Sequence, residues 1–342
     1  MKIQHGMMIA ICLLLGAGAI LYIKFPNVVN FEPTRSTSSV EISGWIAWWK
    51  EADAYALLRR KGKSFHSISP YWFDIDKTFN LKDVSPDADK GKTTQLLAAD
   101  GIEVFPLINT PLTFEQLSPL FIEANSERVT TQIVEKLASL NAKGADIDIE
   151  EVSPSDQVGY QMFLTKLHSK LAAHGMKMSV SLIAQTGVSR GAADVLRGVD
   201  YGEIGKIADT VNILAYDLHS TGSEAGPITS IDWLKQVITY AKSTIDPTKL
   251  VIALPMYGYN WQLQSTTPDP YPYDEFVAHF DNDKNFSKER DAASGELRYV
   301  GPGQEAWVSD AYAVKVYIKT AQELGLDRFM IWQIGGMDEN IL

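Results

Sequence analysis

The chain has 342 residues, 45% of them hydrophobic and 21% charged, an ordinary globular balance with ample material for a core. A formal net charge of -11 disfavours nucleic acid as a partner, because phosphate binding needs clusters of Lys and Arg, and a neutral polymer suits such a surface better than a polyanion. The single cysteine, Cys12, rules out an intrachain disulfide, and no Cys/His spacing fits a zinc site.

The first predicted element is an apolar run, Met7 to Ile23, uncharged and flanked by Lys2 and Lys24. At helical rise it spans roughly 25 Å, near the lower limit for crossing a bilayer. Residues 1–24 are therefore expected to form a signal-anchor or transmembrane segment, with membrane contact through residues 7–23. A cleaved signal peptide is the alternative, although the small residues Gly16 to Ala19 lead into more apolar sequence and not into a polar start. Either reading exports the rest of the chain, anchored to the membrane or secreted. Residues 25–41, rich in Pro, Ser, Thr and Asn, read as a linker.

From Ile42 onward, eight strand-like runs follow one another: 42–49, 64–73, 102–109, 144–150, 176–183, 210–217, 250–258 and 327–335. Amphipathic stretches lie between them. One is expected to start at a Ser126 cap, with Val129, Ile133, Val134, Leu137 and Leu140 on one face; another carries Phe163, Leu164, Leu167 and Leu171. Strands alternating with helices predict an α/β fold, a (β/α)8 TIM barrel over 42–342. A doubly wound open sheet is the alternative, but no Gly-rich loop follows the first strand. The polar, turn-rich stretch 259–305 breaks the rhythm and reads as a small insertion between strand seven and the last helix. Little chain remains after the eighth strand to close the barrel.

The segment GADIDIEEV carries the strongest chemical signal. In a strand, Asp146, Asp148 and Glu150 face one way and Ala145, Ile147 and Ile149 the other. On a barrel strand, that puts three acids inside, climbing toward the C-terminal mouth where such enzymes act. Burying like charges raises at least one carboxyl pKa, as an acid catalyst needs. The same alternation also fits a strand with one face in solvent, or oxygen ligands for magnesium or calcium.

At these residues the chain resembles family 18 glycoside hydrolases, whose signature is D-x-x-D-x-D-x-E. Asp146, Asp148 and Glu150 fall on its last three acids, while Lys143 stands where the family has its first Asp and Ile149 replaces the usual aromatic. AYDLH (215–219), AGP (225–227), LPMYGYNW (254–261) and FMIWQIGG (329–336) are similar to further motifs of the family. GWIAWW, SISPYWF and VFPLIN resemble the bacterial branch that includes spore-cortex hydrolases.

The resemblance implies a retaining hydrolase of β-1,4-linked N-acetylglucosamine polymers, needing no cofactor and no metal. Glu150 is then the general acid, Asp148 supports the substrate's 2-acetamido group, Tyr216 hydrogen-bonds that group's carbonyl, and Asp146 backs Asp148. This substrate-assisted route is a recognised exception to the two-carboxylate scheme. Trp332 becomes the floor of the sugar subsite, with Asp217, Tyr257 and Trp261 around it; each could instead be an ordinary packing residue. A carbohydrate-binding lectin lacking turnover and an endo-β-N-acetylglucosaminidase acting on glycoprotein glycans are the competing functions.

Overall fold

The computed structural model describes residues 39–85, 89–188 and 198–342. The expected membrane segment, 7–23, and nearly all of the 25–41 linker lie outside the described residues. Among those described, no helix is long and apolar enough to cross a membrane.

The chain opens with β1 (Glu41–Ile46) and β2 (Ser67–Ile75), then a short antiparallel partner of β2, β3 (Leu81–Asp83), and a two-residue β4 (Glu103–Val104). Next come β5 (Leu107–Asn109), β6 (Gly144–Asp148), β7 (Lys177–Ile183), β8 (Thr210–Leu214) and β9 (Leu250–Pro255). Five strands of a second sheet follow: β10 (Tyr257–Gln262), β11 (Asp269–Pro272), β12 (Ser287–Arg290), β13 (Leu297–Gly301) and β14 (Gln304–Val308). The last, β15 (Arg328–Trp332), returns to the first sheet between β9 and β1, and β1 also pairs with β2. The ring β1, β2, β5 to β9 and β15 is thus a closed eight-stranded parallel barrel, and the open doubly wound alternative falls.

Barrel strands covered on both faces read as nearly unbroken apolar runs, and every residue of β2 is buried. Helices form the outer layer. In Glu123–Ser139, Val129, Ile133, Val134 and Leu137 are buried against the strands, as their spacing predicts. That helix begins three residues before the expected cap: Ser126 lies inside it, buried, and Glu123 occupies the first turn, where a negative charge suits the helix dipole. The run 102–109 is two pieces, because Pro106 lacks the N–H a ladder needs.

The insertion is larger than its composition suggests. The predicted strand 250–258 ends at Pro255, and Tyr257 already belongs to the antiparallel sheet β10 to β14, which runs to Val308. Its aromatics build a core of their own, with Phe276, Phe280 and Tyr299 buried and Tyr271 packed against them. A buried Lys50, just after β1, ties this unit to the barrel through Asp274 (3.0 Å) and Glu275 (2.8 Å). The gap after β15 is sealed without a full helix. Ile334, Met337 and Ile341 enter the main core, and the short turn Glu339–Ile341 is pinned by an ion pair from Glu339 to Arg60.

Candidate active site

The site grows from β6. Gly144 lets that strand approach β7, since a Cβ there would lie 2.0 Å from the Lys177 carbonyl oxygen. Register then places Asp146 beside Leu107 and Ser179, and Asp148 beside Asn109. Ile147 and Ile149 are buried in the outer core, as alternation requires. The strand itself stops at Asp148, so Glu150 is carried on the turn beyond it, where its backbone oxygen accepts the Val152 N–H (3.0 Å). The predicted row of three acids on one strand is two on the strand and one at the mouth.

Asp146 has no exposed surface. Trp45 Nε1 donates to its Oδ2 (2.7 Å), and Ser179 Oγ (2.8 Å), Asn212 Nδ2 (3.1 Å) and Ser181 Oγ (3.4 Å) donate to Oδ1. Burial raises its pKa, and these hydrogen bonds, led by Ser179 and Trp45, pull the other way. The surrounding donors favour a hydrogen-bonded carboxyl over a metal ligand, and among the described residues no three His, Cys, Asp or Glu side chains converge as a metal site would need.

Asp148 differs. Its Oδ2 accepts one bond, from Asn109 Nδ2 at 3.3 Å, and its buried Oδ1 meets no N–H or O–H donor. Burial pushes its pKa well above the ordinary value, and the charge of Glu150, the charge of Asp146 and a carboxyl–carboxyl hydrogen bond with Glu150 add to the rise. Close acid pairs favour a proton on one of the two carboxyls, and the shift of Asp148 runs in that direction. The Tyr216 phenol is likewise raised far above its usual range, by burial first and then by Asp148 and Glu150. Those acids therefore stand close enough for Tyr216 to feel their charge.

Next to Tyr216, Asp217 adopts a left-handed backbone, φ 60°, uncommon for a residue with a side chain. Its Oδ1 accepts from Tyr257 Oη (2.5 Å) and Tyr259 Oη (3.1 Å). Enclosure of the carboxyl lifts its pKa to about 6 against those two bonds, although the residue keeps an exposed edge. Trp332 is partly exposed and meets Trp45 edge-on at 6.0 Å and Trp49 at 6.4 Å. Trp48 and Trp49 are 42% and 45% exposed beside it, so the aromatic surface continues outward from Trp332. Trp261 does not join that surface. It is 2% exposed and packs against Tyr259, in one cluster with Tyr257 and Trp307.

Sequence reasoning passed over Asn109, Ser179, Ser181, Asn212 and Tyr259, and read Trp45 as one of a cluster of aromatics more suited to core packing than to ligand contact. The signal for Ser179, Ser181 and Asn212 was present: single polar residues at period two inside apolar runs, which in a barrel face the interior. Lys143 is exposed, so the replacement of the family's first Asp leaves no hole in the core.

Trp45→Phe removes the donor to Asp146 Oδ2 and should raise that acid's pKa further. A buried acceptor stripped of its partner costs about 1–3 kcal/mol. The melting temperature is expected to fall by several degrees at pH 7, and by less in acid, where the protonated carboxyl needs the donor less. A loss independent of pH would reduce the contact to packing.

The model of the glycosyl hydrolases family 18 matches residues 109–338. The chain is 30% identical over 138 residues to the uncharacterized glycosylase YvbX of Bacillus subtilis, covering 40% of each protein. It is 24% identical over 221 residues to the cortical fragment-lytic enzyme of the same organism, covering 62% of this chain and 51% of that one. Alignment thus spans about half, or less, of the length of these curated relatives. Its fold superimposes on a chitinase from Chromobacterium violaceum with a TM-score of 0.77 at 18% identity, covering 89% of this chain and 96% of that one. With two thirds of its length matched and the acids of the signature placed on the inner face and at the mouth of a closed barrel, the chain belongs to the glycosyl hydrolases of family 18.

Proposed function

We propose that the protein is a retaining glycoside hydrolase of β-1,4-linked N-acetylglucosamine polymers, using the substrate's own 2-acetamido group as the nucleophile. The observation that carries this reading is the placement of the acids: Asp146 and Asp148 lie on β6 and Glu150 just beyond its end, and burial together with the charges of Glu150 and Asp146 shifts Asp148 toward its protonated form. Glu150, nearer the mouth, delivers a proton to the glycosidic oxygen. As that proton leaves, Asp148 holds the acetamido nitrogen while the acetamido oxygen attacks the anomeric carbon, and Tyr216 steadies that oxygen. Because the nucleophile belongs to the substrate, one strand and the turn after it can hold all the acids required. Trp332 supplies an apolar face for a sugar ring.

A lectin of this fold would keep the aromatic floor but has no use for two coupled carboxyls, so the acid pair favours the enzyme. The cortical fragment-lytic relative makes bacterial wall glycan the first substrate to try, beside chitin. Incubation with chitin oligomers and with purified peptidoglycan, followed by product mass analysis, is expected to show hydrolysis of at least one. NMR should find the first-formed product in the β configuration, and substrates with a free amine or hydroxyl at C2 of the cleavage subsite should be refractory. A covalent glycosyl–enzyme trapped on a carboxylate, or an α first product, would overturn the mechanism. Binding without hydrolysis of any such polymer would return the lectin reading.

A further inference from the structure

We propose that Glu296, carried by the insertion, is a positioning residue that fixes the Tyr216–Asp217 segment in its working geometry; the inference rests on the hydrolase reading of that segment. Glu296 precedes β13, is fully buried, and has no counterpart in the motifs described above. Its carboxyl accepts two successive backbone N–H groups from the barrel's 228–229 loop, Ile228 (2.8 Å, on Oε2) and Thr229 (3.0 Å, on Oε1). That loop in turn holds both flanks of the Tyr216–Asp217 pair. Thr229 Oγ1 donates to the carbonyl of Ala215 (2.6 Å), just before the pair, and Leu218 N–H, just after it, donates to the carbonyl of Ile228 (2.9 Å).

The dipeptide is therefore flanked by two hydrogen bonds from one loop, and two successive N–H groups of that loop are held by one side chain. The clamped pair includes Asp217 in the left-handed region, which few residues other than glycine occupy, Asp among the more tolerant of them. The anchor is itself secured. Asp291 N–H donates to the Glu296 carbonyl (2.9 Å), and the Asp291 carboxyl collects Ala293 N–H (3.1 Å), Ser294 N–H (2.7 Å) and Ser294 Oγ (2.7 Å). Packing around the loop is tight: a Cβ on Gly226 would lie 2.6 Å from the His219 ring.

Tyr317 adds a proton-dependent element. Its hydroxyl lies 3.0 Å from both Glu296 Oε1 and the carbonyl of Thr229, yet it has one proton to give. With Glu296 protonated, its O–H donates to the Tyr317 oxygen and Tyr317 donates to Thr229, so every member is satisfied. With Glu296 ionised, Tyr317 turns to the carboxylate and the Thr229 carbonyl loses its donor. Burial raises the Glu296 pKa to about 8 against its three hydrogen bonds, and the nearby charge of Asp291 adds to the rise. The other groups facing this cluster are Asp310, whose charge reaches Tyr317, and Arg290, paired with Asp310 at 2.7 Å.

The test compares Glu296→Ala, Glu296→Gln and Thr229→Val with the wild-type chain, reading kcat, KM, the pH profile and amide hydrogen exchange at Leu218. Glu296→Ala should lower kcat at least tenfold with a smaller change in KM, and should speed Leu218 exchange. Glu296→Gln keeps one of the two acceptor oxygens and turns an NH2 group toward the other backbone N–H, so it should recover part of both losses, and, having no proton to lose, it should remove any fall in kcat above about pH 8 that belongs to Glu296. Thr229→Val, a milder change that keeps the fold if the alanine variant does not, should lower kcat at least threefold. Equal losses in the Gln and Ala variants, or a folded alanine variant within twofold of wild type with unchanged Leu218 protection, would overturn the proposal. A wild-type chain inactive on every N-acetylglucosamine polymer, with Leu218 exchange responding as stated, would count against the hydrolase reading and for the clamp.

Discussion

Glu150→Gln is expected to lower turnover of an unactivated oligosaccharide by on the order of 10²–10⁴-fold, the usual yield of general acid catalysis, while oligosaccharide binding stays within a few-fold of wild type. Glutamine keeps the shape of the side chain and some of its hydrogen-bonding capacity, but it has no proton of carboxylic acidity to transfer. The loss should be smaller on an aryl glycoside, whose leaving group departs without protonation, and that contrast identifies the missing step as proton delivery. Initial rates on both substrate types, with binding measured calorimetrically, decide the matter. Comparable losses on both, or near-wild-type turnover of the unactivated substrate, would remove Glu150 from the acid's role.

Asp148→Asn should be nearly as damaging to kcat and yet make the protein more stable near pH 7–8. The catalytic half follows from the loss of the negative charge that meets the acetamido nitrogen as the intermediate forms. The stability half follows from proton linkage. The folded-state pKa of Asp148 is raised well above 3.8 by burial and by Glu150. Between the unfolded and the folded value, the native state binds a proton that the unfolded chain has released. Stability therefore declines as pH climbs through that window, starting near pH 4, and asparagine abolishes the decline. Thermal melts from pH 4 to pH 8 should show the two proteins converging in acid and the variant melting higher at neutral pH. A variant that melts lower at pH 7 would mean that Asp148 is held as a stabilised anion. Stability given up at a reacting group is a common exchange in enzymes.

Much of this arrangement was legible from the amino-acid sequence. The barrel strands announced themselves because a doubly covered strand must be apolar throughout, and GADIDIE fixed which acids share a face through its period of two. What escaped depends on distances along the chain that no local pattern encodes. Trp45 reads as one aromatic among several in GWIAWW; its donor role to Asp146, 101 residues away, exists only once the ring has closed. Asn212 reaches the same carboxyl across 66 residues. The edge of the insertion was missed although Pro255 closes the barrel strand, because apolar and aromatic residues continue on both sides of it and LPMYGYNW reads as one run. Trp261 was read as a subsite residue from the motif it belongs to, and a motif does not say how deep in the wall an indole lies, here 2% exposed.

That boundary also joins the barrel to the insertion. A single buried residue, Met256, separates β9 from β10, and its N–H is held by the carbonyl of Trp332 at 2.7 Å. Hinges are positions free to absorb large backbone rotations, and Met256 is pinned to the aromatic floor, while Lys50 grips the far side of the same wall. Among the described residues, floor and wall are thus joined at both of these points. On the hydrolase reading proposed above, these ties leave less of the cleft for binding to assemble, and the binding free energy so spared is available for distorting the sugar at the point of cleavage.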